Sequence, residues 1–333
     1  MKLRQIINFL WIVILVLCLT SGKKQTTVFV IGDSTAAEKK DPAIHPERGW
    51  GMMLQGFFDE DILVRNHAVN GRSSKSFMNE GRWQKVLNEI NPGDYVVIQF
   101  GHNDEKTGAD RHTDPGSTFD AYLTQYVNET RARGGIPVLM NSVVRRNFFR
   151  QVDTTVDDES LRNTTYSDET INSDTLVDTH GAYRDVPRQL AKTLGVAFVD
   201  ANQITHDLEQ SMGVIGSRKL HMWYKPGEVA SIPEGRHDNT HYNVYGARRV
   251  AALLSEALAT VVPALATHVV HYDVVVSAQG RGNFMQLKDA VSAAPYAAEI
   301  YVLDGSWTVS KKLLREKKLR LRTFPGATVR RIR

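Results

Sequence analysis

A serine hydroxyl attacks a carbonyl at neutral pH when a histidine takes its proton and a carboxylate fixes that histidine's tautomer. The parts for such chemistry stand in this chain as Gly32-Asp33-Ser34-Thr35, as Asn70-Gly71-Arg72-Ser73, as Gly101-His102-Asn103-Asp104, and as Asp238 followed by His241. Ser34 lies two residues beyond an apolar run, a place that exposes its hydroxyl. A helix is expected to begin there, with backbone N–H groups aimed at a developing anion. One turn between Asp238 and His241 holds the carboxylate against Nδ1 and leaves Nε2 for Ser34. The resulting oxyanion needs donors, and the N–H groups of Ser34 and Gly71 and the side-chain amide of Asn103 supply them. Glycine at 71 lets the backbone approach closely. Taken alone, Gly-Asp-Ser is a common turn, Asp-x-x-His a common surface turn and Asn103 a common cap. Their joint occurrence in this order is what points to acyl transfer.

The elements that must position these residues follow from the apolar runs. Val28–Ile31, Ile62–Val64, Tyr95–Phe100, Ile136–Asn141 and Val196–Val199 read as buried strands. Phe119, Tyr122, Leu123, Tyr126 and Val127 recur at helical spacing, and further helices are expected over about 183–194 and 244–259. Strands alternating with helices predict a parallel sheet covered on both faces, with ligands bound beyond the carboxyl ends of the strands. Residues 150–180 are rich in Asp, Thr, Ser and Asn. They read either as a surface insertion near the mouth of a site or as a loop without a role.

The chain has 333 residues, 42% apolar and 23% charged, which excludes collagen-like and wholly disordered classes and allows one large domain or two ordinary ones. Its net charge of +4 is unevenly placed. Residues 268–333 hold 12 basic and 5 acidic side chains, whereas 25–267 hold 25 basic and 32 acidic. The basic character comes from the two ends, so a nucleic-acid groove through the body is not indicated. The single cysteine, Cys18, excludes a disulfide framework and a cysteine-built metal site. Lys2 and Arg4, the apolar stretch Ile6–Leu19 and the small residues Thr20, Ser21 and Gly22 have the layout of a secretory leader over 1–23. That stretch is short against the roughly 20 residues of a membrane span. An uncleaved anchor or a lipidated Cys18 are the other readings. The expected location is secreted, periplasmic or cell-surface, with no membrane contact beyond the leader.

The four blocks Gly32-Asp33-Ser34-Thr35, Gly71, Gly101-His102-Asn103-Asp104 and Asp238-x-x-His241 resemble those of the SGNH (GDSL-like) hydrolases. With Ala36, Arg48-Gly49-Trp50-Gly51 and Asn70-Gly71-Arg72-Ser73 they resemble the rhamnogalacturonan acetylesterase branch more narrowly. The resemblance covers roughly 26–262. It implies a three-layer α/β/α, flavodoxin-like fold over about 24–265 and removal of acetyl groups from plant cell-wall polysaccharide. Neither a metal nor an organic cofactor is implied, and a monomer is expected. By position Ser34 would be nucleophile, His241 base and Asp238 its orienter, with Ser34, Gly71 and Asn103 as oxyanion hole. No Gly-x-Ser-x-Gly elbow, P-loop or Gly-x-Gly-x-x-Gly is present.

Other residues carry weaker expectations. Arg145 and Arg146 follow the fourth strand and could meet a galacturonate carboxylate bidentately, or be a solvated pair. Trp223, with His221 and Tyr224, could stack on a sugar ring or pack a loop. Trp50 lies beside the nucleophile turn or serves only as core. His102, Asp104, His237, Asp238 and His241 contain no paired metal-ligand spacing, so a catalytic metal is not expected. Acetylxylan or broad acyl esters are alternative substrates, and a non-catalytic carbohydrate-binding module or a lipase-like enzyme are the rivals from other classes.

After Pro263 the texture changes. Asp273-Val274-Val275-Val276, Gly280-Arg281-Gly282-Asn283-Phe284, Leu287, Ala290, Ala293-Ala294-Pro295, Ile300-Tyr301-Val302 and Asp304-Gly305 resemble the opening of a pectin methylesterase. That resemblance covers 269–333 and implies the first one or two coils of a right-handed parallel β-helix. The catalytic residues of that family lie beyond this opening, so no site is carried over. So short a solenoid is expected to be weakly stabilised.

Overall fold

The computed structural model describes residues 25–149, 167, 169 and 171–333. The leader expected over 1–23 and most of the polar stretch 150–170 lie outside the described residues. Strand β1 (Thr26–Ile31) forms because its β-branched and aromatic residues send alternate side chains to two buried faces. Val28 and Val30 enter one apolar cluster, Phe29 and Ile31 another. The two-residue β2 (Glu47–Arg48) belongs to a separate sheet. Strands β3 (Ile62–Asn66), β4 (Tyr95–Gln99), β5 (Ile136–Met140) and β6 (Ala197–Val199) join β1 in the order β3-β1-β4-β5-β6, every pair parallel.

Helices cover both faces. On the valine side of β1 lie α1 (Trp50–Met53), through Trp50 and Met53, and the long helix Val244–Val261, through Ala247, Val250, Leu254 and Leu258. The other face is covered by α2 (Ser74–Asn79), α3 (Arg82–Glu89), α4 (Thr118–Ala132) and α5 (Ala182–Leu194), through Phe77, Trp83, Phe119, Leu123, Tyr126 and Val186. Helix α6 (Ala201–Gly216) returns to the first face through Ile204 and Leu208, and Val244–Val261 is α7. The result is a three-layer α/β/α unit. Among the described residues no helix is long and apolar enough to cross a membrane.

Between α6 and α7 the chain forms β7 (His221–Tyr224) and β8 (Arg236–Asn243), an antiparallel pair that β2 extends on the other edge of β8. The sequence reading has a turn at 237–241. Asp, Asn and His there lack the apolar signal of a strand, and the ladder with β7 and β2 overrides that local preference.

After α7 come β9 (Val274–Val276), α8 (Leu287–Ala293), β10 (Glu299–Val302), β11 (Ser306–Ser310), α9 (Lys311–Glu316), β12 (Arg320–Thr323) and β13 (Thr328–Ile332). They build two parallel ladders, β12-β10-β9 and β11-β13. Val274, Val276, Leu287, Val291, Ile300, Val302 and Leu314 fill a core of their own. The alternate residues Val275 and Tyr301, with Leu303 and Phe324, meet Leu63, Val270 and Tyr272 at a seam with the larger unit. Tyr301 donates from its hydroxyl to the Phe58 carbonyl at 3.1 Å, Arg48 Nε to the Gly280 carbonyl at 3.0 Å, and Arg322 pairs with Glu60. This piece, read from sequence as weakly stabilised, thus has both an apolar core and a buried seam. Tyr301→Ala is expected to cost roughly 3–5 kcal/mol through the cavity it leaves. Tyr301→Phe, which loses one hydrogen bond, should cost about 1 kcal/mol. Calorimetric melting of both variants measures the difference.

Candidate active site

β1 stops at Ile31, and Asp33 locks the turn that follows. Its Oδ1 accepts from Thr35 N at 2.9 Å and Thr35 Oγ1 at 2.8 Å, while its carbonyl accepts from Ala36 N at 3.2 Å and Ala37 N at 3.0 Å. Ser34 sits inside this single turn. The helix expected to begin there does not form, and the first helix of the described residues starts instead at Trp50, whose N–H donates to the Thr35 carbonyl at 2.8 Å. Gly49 makes that contact sterically feasible. A Cβ at 49 would lie 2.3 Å from the Ala36 carbonyl carbon and 2.4 Å from the Ala37 oxygen, so any side chain there must displace the turn.

A bulge in β8 brings the next two residues together. Met222 pairs with Asp238, but His221 pairs with Tyr242, so Asn239, Thr240 and His241 are extra on the β8 side. The backbone N–H groups of Thr240 and His241 both donate to Asp238 Oδ1 at 2.9 Å. His241 Nδ1 lies 2.8 Å from Asp238 Oδ2, and His241 Nε2 lies 3.0 Å from Ser34 Oγ. All three residues are almost wholly buried. Burial alone would raise the Asp238 carboxyl. The adjoining His241, with its hydrogen bond, and the Arg236 guanidinium outweigh it and hold Asp238 well below the usual carboxylate range.

Two further turns close on the same place. Gly71 has φ of 73°, a left-handed conformation natural to glycine. Just beyond it Ser73 caps α2, accepting from Ser76 N, while Ser76 Oγ accepts from Ser73 N. Ser74 donates from N and Oγ to Asp104, tying the Gly71 turn to the turn after β4. Thr113 Oγ1 adds a bond at 2.9 Å. Burial pushes the Asp104 carboxyl up to about 6, against the pull of these hydrogen bonds. Asn103 donates from Nδ2 to the Arg72 carbonyl at 3.2 Å and accepts at Oδ1 from Arg111 at 3.4 Å, which fixes which end of the amide faces the Gly71 turn. If that amide stabilises an oxyanion, Asn103→Ala should lower kcat roughly 100- to 1000-fold with little change in KM. Steady-state kinetics on a small acetyl ester, with circular dichroism to verify folding, test this.

The structure joins Asp238, His241 and Ser34 in one hydrogen-bonded chain and ties Asn103 to the turn that carries Gly71, but withholds three of the residues expected to touch substrate. Trp50 is fully buried in the core beneath the nucleophile turn. Arg146 is fully buried, and Glu169, Asn239, Ser217 and the Val214 carbonyl occupy its guanidinium. Arg145 is mostly buried against Glu105 at 2.5 Å, with Thr179 and the His102 carbonyl as further acceptors. Both arginines therefore hold loops rather than facing solvent for a carboxylate. Trp223 remains half-buried. Its ring lies 3.9 Å from the His237 ring and 4.2 Å from the Arg218 guanidinium carbon, and its Nε1 donates to Asn239 at 2.8 Å. His221, considered for a sugar platform, is fully buried against Glu209 at 2.9 Å.

Sequence reasoning overlooked a second imidazole chain. Asp178 lies 2.7 Å from His180 Nδ1, and His180 Nε2 lies 3.1 Å from His102 Nδ1. Burial, then Arg145, His180 and Lys106, push His102 well below the ordinary histidine range, which keeps the ring beside Asn103 neutral. The Asp-x-His spacing at 178–180 was a signal, hidden in a polar stretch read as a surface insertion near a site or a loop without a role. Lys39, Glu47 and Arg236 were also overlooked.

Comparison with known proteins agrees with this geometry. Residues 30–249 match the GDSL-like lipase/acylhydrolase family. The rhamnogalacturonan acetylesterase RhgT of Bacillus subtilis is 39% identical over 236 residues, which span 71% of this chain and 90% of that protein. The probable rhamnogalacturonan acetylesterase YesY of the same organism is 29% identical over 235 residues, 69% of this chain and 91% of that protein. The crystal structure of Bacillus subtilis YxiM is similar in fold, with a TM-score of 0.52 at 24% identity over 71% of this chain and 57% of that one. The chain therefore belongs to the GDSL-like lipase/acylhydrolase family and is an ester-hydrolysing enzyme.

Proposed function

We propose that this enzyme removes O-acetyl groups from pectin, the rhamnogalacturonan backbone in particular, through an acyl-enzyme on Ser34. The observation that carries this reading is the continuous hydrogen-bonded chain from Asp238 through His241 to Ser34. Ser34 Oγ attacks the acetyl carbonyl while His241 Nε2 takes its proton. The N–H groups of Ser34 and Gly71 and the Asn103 amide hold the oxyanion. Collapse breaks the bond to the sugar oxygen, which receives the proton from His241. Water then repeats the sequence on the acetyl-serine, releasing acetate and restoring Ser34.

The substrate class is supported by RhgT and YesY, named as a rhamnogalacturonan acetylesterase and a probable one. A cavity of about 580 Å³ adjoins the Gly71 turn, and its lining sets Lys39, Lys40, Arg72 and Arg236 beside Glu38 and Glu47, an excess of cationic groups for an acidic sugar. We also propose secretion, on the N-terminal leader pattern. The C-terminal unit is read as the start of a pectin methylesterase-like β-helix, for which its two all-parallel ladders speak.

Acetate release from acetylated rhamnogalacturonan and from acetylated xylan tests the reading, using the full chain and its Ser34→Ala variant. Faster release from rhamnogalacturonan, abolished in the variant, is the expected result. Preference for xylan would overturn the substrate assignment. Release that survives in the variant would overturn the mechanism, and no Ser34-dependent release from either polymer or a small acetyl ester would leave a carbohydrate-binding role to be tested.

A further inference from the structure

Three buried charges complete a circuit around the triad. Lys39 Nζ donates to the Ser34 carbonyl at 2.5 Å and to Asn70 Oδ1 at 2.8 Å, and pairs with Glu47 Oε1 at 3.0 Å. Glu47 Oε2 accepts from Arg236 Nη1 at 3.2 Å, and Arg236 Nη2 reaches Asp238 Oδ2 at 2.9 Å. The contacts from Asp238 to His241 and from His241 to Ser34 close the ring. Side-chain exposure is 5% for Lys39, 8% for Glu47, 6% for Arg236 and nil for Asp238, so water screens none of these pairs well. Burying four charges is costly even when they alternate in sign, and an apolar filling would hold the fold as well. What an apolar filling could not do is touch the reacting groups at these atoms.

Resting on the acyl mechanism above, we propose that Lys39, Glu47 and Arg236 are positioning residues for that reaction. Lys39 ties the carbonyl of Ser34 to the Asn70 turn that carries Gly71, so nucleophile and oxyanion donor keep one spacing. Arg236 shares Asp238 Oδ2 with His241, and Glu47 draws the guanidinium's charge the other way. Arg236 thereby limits how strongly Asp238 favours the imidazolium, and Glu47 limits Arg236. The charged or titratable groups that face His241 or reach it through these pairs are Asp238 and Arg236 on β8, Glu47 on β2, Lys39 on the nucleophile loop and His102 after β4, while Asp33 and Glu209 act on the adjoining Tyr242.

Two neutralising variants should therefore act in opposite directions. Arg236→Gln leaves Asp238 wholly to His241, so the acid limb of the kcat/KM profile should move to higher pH by about half a unit or more. Glu47→Gln frees Arg236 toward Asp238, and the limb should move to lower pH. Arg236→Lys keeps the charge but loses the two-pronged contact, so it should leave the limb in place and lower kcat. Lys39→Met should lower kcat at least about tenfold on a small acetyl ester with KM unchanged, the mark of lost transition-state alignment.

The full chain and each variant are assayed against pH on that ester. The His241 ring is followed in parallel by NMR, assigned by comparison with His241→Gln, and circular dichroism reports folding. Opposite displacement of the His241 titration in Arg236→Gln and Glu47→Gln supports the proposal. Folded variants whose titration and acid limb coincide with those of the parent overturn it, as does unchanged kcat in Lys39→Met. Should Arg236→Gln fail to fold, Glu47→Gln still tests the direction, its limb expected at lower pH than that of Arg236→Lys, which should coincide with the parent. Absence of Ser34-dependent turnover in the parent would instead defeat the esterase mechanism, while the NMR titration would still read the ring.

Discussion

Ser34→Ala is expected to lower kcat on a small acetyl ester on the order of a million-fold, about 8 kcal/mol of lost transition-state stabilisation. The size follows from what the hydroxyl does. In the proposed mechanism it forms the covalent bond, and it alone stands at the Nε2 end of the Asp238–His241 chain among the hydrogen bonds of the described residues. Removing it also makes that chain idle, since His241 Nε2 then faces no proton to take. The fold should be unaffected. The turn around residue 34 is held by Asp33, Thr35 and the backbone of Ala36 and Ala37, not by the Ser34 side chain. KM should change little, because in the proposed mechanism the acetyl carbonyl still meets the Gly71 and Asn103 donors. Those donors leave a residual rate above that in water, roughly 1000- to 10000-fold. Turnover within a factor of about ten of the parent, in a preparation free of contaminating esterase, would refute Ser34 as nucleophile.

Much of the fold was legible because each central strand is its own signal. Val28–Ile31 and Tyr95–Ile98 are apolar at every position because helices cover both their faces, and Gly32 and Gly101 follow close on where each run ends. The four sequence blocks that suggested acyl transfer lie where those runs stop or where β8 bulges. β8 itself was hidden. Arg-His-Asp-Asn-Thr-His-Tyr-Asn has neither an apolar run nor clean alternation, and only its ladders with β7 and β2 make it a strand. The arginines 145 and 146 were misjudged for a related reason. Position at a strand's carboxyl end suggests access to a ligand, but Glu105 and Glu169 take both guanidinium groups inward. Pairings of this kind, like that between Glu47 and Arg236, join residues distant in the chain and leave no mark on local pattern.

Positions 238 and 241 thus owe their meeting to an irregular strand, and this gives Asp238→Asn a distinctive expected outcome. Asp238 Oδ1 accepts the N–H groups of Thr240 and His241, so an asparagine would keep its oxygen there. Its amide nitrogen would then occupy the site of Oδ2, which faces His241 Nδ1 at 2.8 Å and Arg236 Nη2 at 2.9 Å. A donor would confront the imidazole, favouring the tautomer with its proton on Nε2 and leaving no lone pair for the Ser34 proton. The expected loss in kcat is roughly 10000-fold. The same nitrogen would confront the guanidinium, which would keep only Glu47, so stability should fall as well, by roughly 1–3 kcal/mol. Asp238→Asn/Arg236→Gln separates the two effects, since it removes the cation facing the amide but not the wrong tautomer. Stability should largely return in the double variant while activity does not. Recovery of activity together with stability would mean that Asp238 serves the fold and not the base.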